Sequence, residues 1–354
     1  MKSTSDQVPR VAIVLLSYNS LPLIKRFLPL IVGTTAHLPR VEIVVVDNAS
    51  TDSTDSWIRQ NHPNIRIITI TDNHGFTGGY TESLPQIQAE NYVLISSDIE
   101  VTKGWLEAGL EVLESADDIA AVQPKVKSYD RRDEFEYAGD AGGYIDYLGY
   151  PFCRGRLVNS MEKDEGQFED VREIFWASGA CLFVKAELFH KAGGLDNDFF
   201  AHMEEIDLAW RFKNMGYKIM YQPKAEIYHM GGYVIQYGSA AKIFRNHRNN
   251  LIMLLKNLPS NEVWWKIPFR FLLDYATFFK MLLDGNPKSS MAVVKAHQDF
   301  VFNLSTWKRK RKEVQKLFVK DRNTFGICPK SLVVEFFLKG KRKFKELNWD
   351  PTRS

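Results

Sequence analysis

Four apolar runs mark the first hundred residues, at 11–16, 41–46, 65–70 and 92–95. Uniformly apolar and without alternation, they predict strands covered on both faces, as in a parallel sheet. Between them the apolar positions take helical spacing, over 21–32, through Ile58, and after a glycine-rich segment at 73–79. This exchange of strand for helix predicts a doubly wound, mostly parallel α/β sheet. Ligands of such sheets bind at the carboxyl ends of the strands, so the residues that follow each run matter most.

Those residues are polar. The first strand opens onto Ser17, Tyr18 and Asn19, and the second onto Asp47 and a Ser/Thr/Asp cluster able to cap a helix. No Gly-x-Gly-x-x-Gly follows the first strand, so the dinucleotide signature is absent, and polar side chains offer contacts to a base and ribose instead. The fourth run ends in Ser96, Ser97, Asp98 and Glu100. Two carboxylates two residues apart can give oxygen ligands to a hard divalent cation, which in turn neutralises a diphosphate. Taken singly, each of these groups reads equally as turn chemistry or helix capping.

Taken together they resemble a known family. Val-Ala-Ile-Val-Leu-Leu-Ser-Tyr-Asn, Val-Val-Val-Asp-Asn-Ala-Ser-Thr-Asp, Asn-x-Gly-Phe-x-Gly-Gly and Ser-Asp-Ile-Glu follow one another in order. The stretch 11–257 resembles the family 2 glycosyltransferases with the GT-A fold, close to bacterial rhamnosyltransferase-like members. The resemblance implies a Rossmann-like nucleotide-binding half joined to an acceptor half. It also implies a UDP- or dTDP-linked sugar donor, a divalent Mg²⁺ or Mn²⁺, and an inverting transfer. It places Ser17, Asn19 and Asp47 in the nucleotide pocket, Asn73, Gly78 and Gly79 near the donor, and Asp98 with Glu100 at the metal, Asp98 being shared with the donor. Ser96-Ser97 stands where Asn-Pro is common in the family, and Thr81 where Asn is.

Beyond a strand predicted at 119–126, residues 130–170 are rich in Gly, Tyr and charge without periodicity. They predict a long excursion of loops or a hairpin, with Tyr144, Tyr147 and Tyr150 as a candidate wall for donor or acceptor. A helix is predicted from Phe199, with Leu208, Phe212 and Met215 at core spacing and Glu204, Glu205 and Asp207 crowding its first turn. Acids suit a helix N-terminus. Three in one turn also repel one another, which raises a carboxyl toward the range of a usable base. The segment resembles the family's Glu-Asp-x-Asp-Leu motif, whose second acid is the catalytic base; Glu205 stands at that position, with Asp207 in reserve. Two short strands, 218–221 and 225–228, lead to His229, which the resemblance brings near the metal or diphosphate. Arg245, Arg248, Asn249 and Asn250 follow on a helical segment from which they can face phosphates.

Composition changes the picture chiefly at the carboxyl end. The 354 residues are 45% hydrophobic and 25% charged, ordinary globular usage. Three cysteines without a Cys-x-x-Cys predict neither a disulfide framework nor a thiolate metal site. The net charge of +3 hides a split: from Pro259 on, 20 Lys and Arg face 9 Asp and Glu, a surplus of +11, while the remainder holds 26 against 34, or −8. We therefore divide the chain into a catalytic domain, 1–258, and a helical, basic extension, 259–354. A helix running to about Leu283, with Pro268 in its first turn, carries Lys266, Arg270, Asp274, Thr277 and Lys280 as one polar stripe on an apolar cylinder. Its apolar surface must be covered by the domain, a partner or the headgroup region of a membrane, and the basic surplus favours an anionic membrane.

No apolar run of signal-peptide length occupies residues 1–10. The expectation is a cytoplasmic enzyme, peripheral on the inner face of the cytoplasmic membrane, that builds cell-surface polysaccharide on a glycan or lipid-linked acceptor. A sugar nucleotidyltransferase is the rival enzyme, but it calls for a Gly-rich basic loop after the first strand. A non-catalytic nucleotide- or glycan-binding protein is the rival from another class. Nucleic acid is not expected as a partner, and no motif encodes an oligomeric state.

Overall fold

The computed structural model describes residues 8–137, 140–231 and 239–353. Its first half alternates β1 (Val11–Ser17), α1 (Leu21–Thr35), β2 (Val41–Asn48), α2 (Thr54–Asn61), β3 (Arg66–Ile70), α3 (Gly75–Ser83), β4 (Asn91–Ser96), β5 (Ile99–Val101) and α4 (Trp105–Leu113). β1 lies parallel between β2 and β4, with β3 parallel beyond β2. Alternate residues of β1 feed two separate apolar clusters, Ala12 and Val14 on one side and Val11, Ile13 and Leu15 on the other. Burial on both faces is why the run shows no alternation.

The second half completes the sheet and adds a smaller one. It contains β6 (Ile119–Ser128), β7 (Gly143–Asp146), β8 (Pro151–Cys153), β9 (Arg156–Leu157), β10 (Ser160–Met161), β11 (Arg172–Ile174), β12 (Cys181–Lys185), α5 (Ala186–Lys191), α6 (Glu204–Asn214) and β13 (Lys218–His229). The main sheet runs β11-β13-β6-β12-β4-β1-β2-β3, with β5 also on β13. The parallel order predicted from the apolar runs holds for β4-β1-β2-β3 and for the β6–β13 pair, while β12, β5 and β11 run antiparallel. β13 is one strand where two were expected; its pairing with β6 slips between Gln222 and Glu226, around Pro223, which has no N–H to give.

The excursion at 130–170 is more ordered than its sequence predicts, because β7 to β10 form an antiparallel sheet of their own. Its missing partners come from far along the chain. After α7 (Ala240–Asn257), α8 (Ser260–Leu283), α9 (Pro287–Phe302) and α10 (Leu304–Gln315), the strand β14 (Ile327–Cys328) pairs parallel with β7. Phe344 and Trp349 then pack on Tyr144, with ring centroids 5.5 and 5.3 Å away. The backbone N–H of Phe344 donates to Glu162 Oε1 at 2.9 Å. The segment 259–354 is thus helical to Gln315 and afterwards closes the small sheet. Tyr144 is core and Tyr150 lies beneath the Arg270 guanidinium, 3.5 Å from ring centroid to Cζ, so neither forms the expected ligand wall.

α8 begins at Ser260, and Pro268 lies two turns inside it. Pro268 withholds an N–H from the Trp264 carbonyl on the outer side of the helix, where solvent can take its place.

Candidate active site

The carboxyl ends of β4, β1 and β2 meet on one edge, with Ser96 beside Leu16 and Ser17 beside Asp47 in register. There the predicted nucleotide residues hold each other's loops. Ser17 Oγ meets Ser20 Oγ at 2.6 Å, and Asp47 Oδ1 accepts from the Ser50 N–H at 3.0 Å. Asn19, at φ 47°, accepts from the Thr51 N–H at 2.7 Å. Asn73 Oδ1 accepts from the Gly75 N–H at 2.9 Å and from Asn48 Nδ2 at 3.2 Å. Gly79 answers to packing: a Cβ there would lie 2.5 Å from Leu16, so only glycine lets α3 press against the end of β1. Gly78 sits one turn after His74, whose ring meets Glu82.

The two acids expected at the metal part company. Asp98, in the tight turn after β4, is buried with its Oδ2 3.3 Å from His229 Nε2. Glu100 pairs in register with Tyr228 across β5 and β13, and its carboxylate goes to the Arg132 guanidinium at 2.8 Å. The i, i+2 spacing is real, but the second acid is held by an arginine from the turn after β6. Glu136, which the sequence reading did not single out, takes its place in the cluster, with Oε2 2.9 Å from His229 Nδ1.

Burial by itself pushes Asp98 up and His229 down, yet their mutual attraction, with Glu136 added for the histidine, leaves Asp98 below the usual carboxylate range and His229 well above the usual imidazole range. Among the described residues no group of three or more His, Cys, Asp or Glu converges to hold a metal ion. Asp98 and His229, 3.3 Å apart, are the pair that could share a divalent cation, its other positions left to diphosphate oxygens and water. A carboxylate on the far nitrogen, as Glu136 is, is the usual orienter of a metal-binding imidazole.

The three acids of α6 also separate. Asp207 is fully buried and its oxygens are taken, by Arg211 Nε at 3.0 Å, Lys256 Nζ at 2.8 Å and Asn257 Nδ2 at 2.8 Å. Lys256 in turn pairs with Asp196 at 2.7 Å. This network ties α6 to α7, and the reserve candidate for the base is a structural acid. Glu204 and Glu205 each keep an Oε2 buried without a hydrogen-bond partner. Glu205 packs its Cβ near Gly179, next to Ala180, whose carbonyl accepts from the Ser96 N–H at 2.9 Å. One oxygen of Glu205 is thus unpartnered, and the residue lies against Gly179, next to the Ala180 that bonds the end of β4. Burial raises Glu205 to about 7, and burial together with Glu205 raises Glu204 well above the usual carboxyl range.

α6 starts at Glu204, five residues later than predicted, because the preceding backbone cannot be helical. Phe200, His202 and Met203 have φ of 63°, 73° and 73°, left-handed values rare outside glycine. Asn249 of α7 holds this strained loop, donating through Nδ2 to the carbonyls of Phe199, Ala201 and His202 at 3.0, 3.0 and 2.7 Å. Arg248 adds a bond to the Asp198 carbonyl at 2.5 Å, and Arg245 lies over the Phe200 ring. Three of the four residues expected to face phosphates from this helix thus position the loop before the acids, while Asn250 donates through Nδ2 to the Gly149 carbonyl at 2.9 Å. Asn249→Ala removes three hydrogen bonds that oppose the strain, and a small shift of a reacting group is costly. We expect kcat to fall at least ~10-fold with the KM for donor nearly unchanged. Steady-state kinetics with the folded variant check this, and an unaltered kcat refutes it.

Solved structures place the fold. S. aureus TarS 1–349 in complex with UDP-GlcNAc aligns with a TM-score of 0.52 at 15% identity, over 87% of this chain and 89% of that one. GalNAc-T7 with UDP, GalNAc and Mn²⁺ aligns at 0.55 and 12% identity, over 85% of this chain and 58% of the other. The architecture is the GT-A fold of glycosyltransferases. Residues 12–192, just over half of the chain, match Glycosyl transferase family 2, and the chain belongs to that family. The N-acetylglucosaminyl-diphospho-decaprenol L-rhamnosyltransferase of Mycobacterium tuberculosis is 25% identical over 285 residues, covering 76% of this chain and 90% of that enzyme. The rival readings as a nucleotidyltransferase or a non-catalytic binder give way to a glycosyltransferase.

Proposed function

We propose that this glycosyltransferase moves a sugar from a UDP- or dTDP-linked donor to a glycan or lipid-linked acceptor with inversion, in cell-surface polysaccharide synthesis. The observation that carries the reading is Glu205, with one carboxylate oxygen buried without a partner and the group raised to about 7 by burial, at a helix start packed on Gly179 near the end of β4. Ser17, Asn19 and Asp47 would receive the nucleoside. Glu205 would take the proton from the acceptor hydroxyl as it attacks the anomeric carbon, and a single displacement inverts that centre. Asp98 and His229 would hold Mg²⁺ or Mn²⁺, with Glu136 fixing the imidazole; when bound, the cation offsets charge growing on the departing diphosphate. The M. tuberculosis relative, named for a polyprenyl diphosphate acceptor, supports an acceptor of that class.

Incubating the protein with UDP- and dTDP-sugars, Mn²⁺ and a polyprenyl diphosphate sugar should release nucleoside diphosphate from one donor. The product's anomeric configuration should be opposite to the donor's. Release from none of these donors refutes the reaction, and a retained configuration refutes the inversion.

A further inference from the structure

We propose that the outer face of the α8–α9 hairpin docks in the headgroup region of an anionic membrane. α8 is built inside out. A surface helix normally turns its apolar stripe to the core and its charges to water. Here Lys266, Arg270 and Asp274 of the polar stripe point inward: Arg270 donates to the Leu148 carbonyl at 3.0 Å, and Asp274 meets His247 Nδ1 at 3.1 Å and His297 Nε2 at 3.0 Å. Lys266 pairs with Glu262. The opposite face carries Trp264, Leu272, Phe279 and Leu283 at helical spacing, exposed by 73%, 66%, 58% and 88%. α9 adds exposed Met291 and, at its end, Phe302 at 80%.

Burying charge inward while leaving large apolar and aromatic side chains outward is costly in water, so a contiguous stripe of this kind marks an interaction surface. Charge selects the occupant. The hairpin's exposed acid, Asp284, is already paired with Lys280 at 2.5 Å, whereas Lys288 and Lys295 are exposed and carry no ion pair among the described residues. Lys308 and Arg309 are exposed just beyond Phe302, within a segment whose surplus is +11. A second copy would bring the same cations face to face, while an anionic leaflet attracts each of them. Trp and Tyr flanked by Lys are what headgroup depth favours, and no helix among the described residues is long and apolar enough to cross a membrane. Membrane contact was expected from the basic surplus; the face that makes it could not be read from spacing. This inference rests on the proposed reading for the location of the acceptor, and on the surface itself for its occupant.

The test is co-sedimentation of the full chain with phosphatidylcholine vesicles, with and without phosphatidylglycerol, in the absence of donor. We expect binding that requires phosphatidylglycerol, is released by high salt, and drops at least ~10-fold in Trp264→Glu/Leu283→Glu, since removing two buried apolar anchors and adding repelled charge act in one direction. Circular dichroism and nucleotide affinity of the variant should match the parent. Vesicle binding equal in parent and variant overturns the proposal. So does a parent dimer, seen by light scattering, that the variant loses while neither binds vesicles. A chain that binds vesicles but transfers no sugar breaks the proposed reaction alone, and an active chain indifferent to vesicles breaks this inference alone.

Discussion

Glu205→Gln is expected to lower turnover at least ~10²-fold while leaving nucleotide affinity intact, because a general base acts only in the transition state. The pH dependence carries the same signature. Burial raises the Glu205 carboxyl to about 7, so the parent's rate should climb as pH rises through about 7, the deprotonated form being the active one. The sign for stability is opposite. A carboxyl whose folded pKa is raised binds its proton more tightly folded than unfolded, so the favourable contribution is present at low pH and is lost as pH rises from the ordinary carboxyl range through about 7. The Gln variant should therefore melt higher than the parent above neutrality even as it loses activity. Asp207→Asn is the contrast: it strips charge from between buried Arg211 and Lys256, so the melting temperature should fall while turnover per folded molecule survives. An active Glu205→Gln, or a folded but dead Asp207→Asn, exchanges their roles.

Asp98→Asn should erase most of the gain that Mn²⁺ or Mg²⁺ brings to nucleoside diphosphate binding, a loss of at least ~10²-fold measured by calorimetry with metal against chelator. His229→Gln should act in the same direction. Glu136→Gln, one bond further out, should cost ~10-fold, the scale of an orienting carboxylate. Glu100→Gln should change little, since its carboxylate is already held by Arg132. Equal nucleotide affinity with and without cation refutes the assignment for Asp98, His229 and Glu136.

The sheet was legible because its central strands are buried on both faces, and a doubly covered strand writes a continuous apolar run. Asp98, His229 and Glu205 could be singled out because each follows a recognisable strand or opens a patterned helix, and the fold brings Asp98 and His229 within 3.3 Å. Glu136 was not: it lies in an aperiodic stretch, and the histidine that gives it meaning comes 93 residues later. Spacing along one strand says nothing about Arg132, in the turn after β6, whose guanidinium holds the Glu100 carboxylate. Asn249 was seen, but its task is defined by backbone strain that no composition records. In α8 the stripe itself was read correctly, yet periodicity tells which residues share a face and not which face looks inward.

The small sheet has a consequence for the order of folding. Its first strands are synthesised about two hundred residues before Phe344 and Trp349, the rings that cover Tyr144 and Phe152. Glu162 links the two, taking the Phe344 N–H while its own carbonyl accepts from Phe135, the neighbour of Glu136. The parallel strands β1 to β4 find one another within the first hundred residues and can pair while the chain is still emerging from the ribosome, but contacts spanning about two hundred residues come late. A nascent chain would thus build the sheet edge bearing Ser17 and Asp47 well before it steadies Glu136 behind His229, and the order of that cluster would wait on the residues that seal the small sheet.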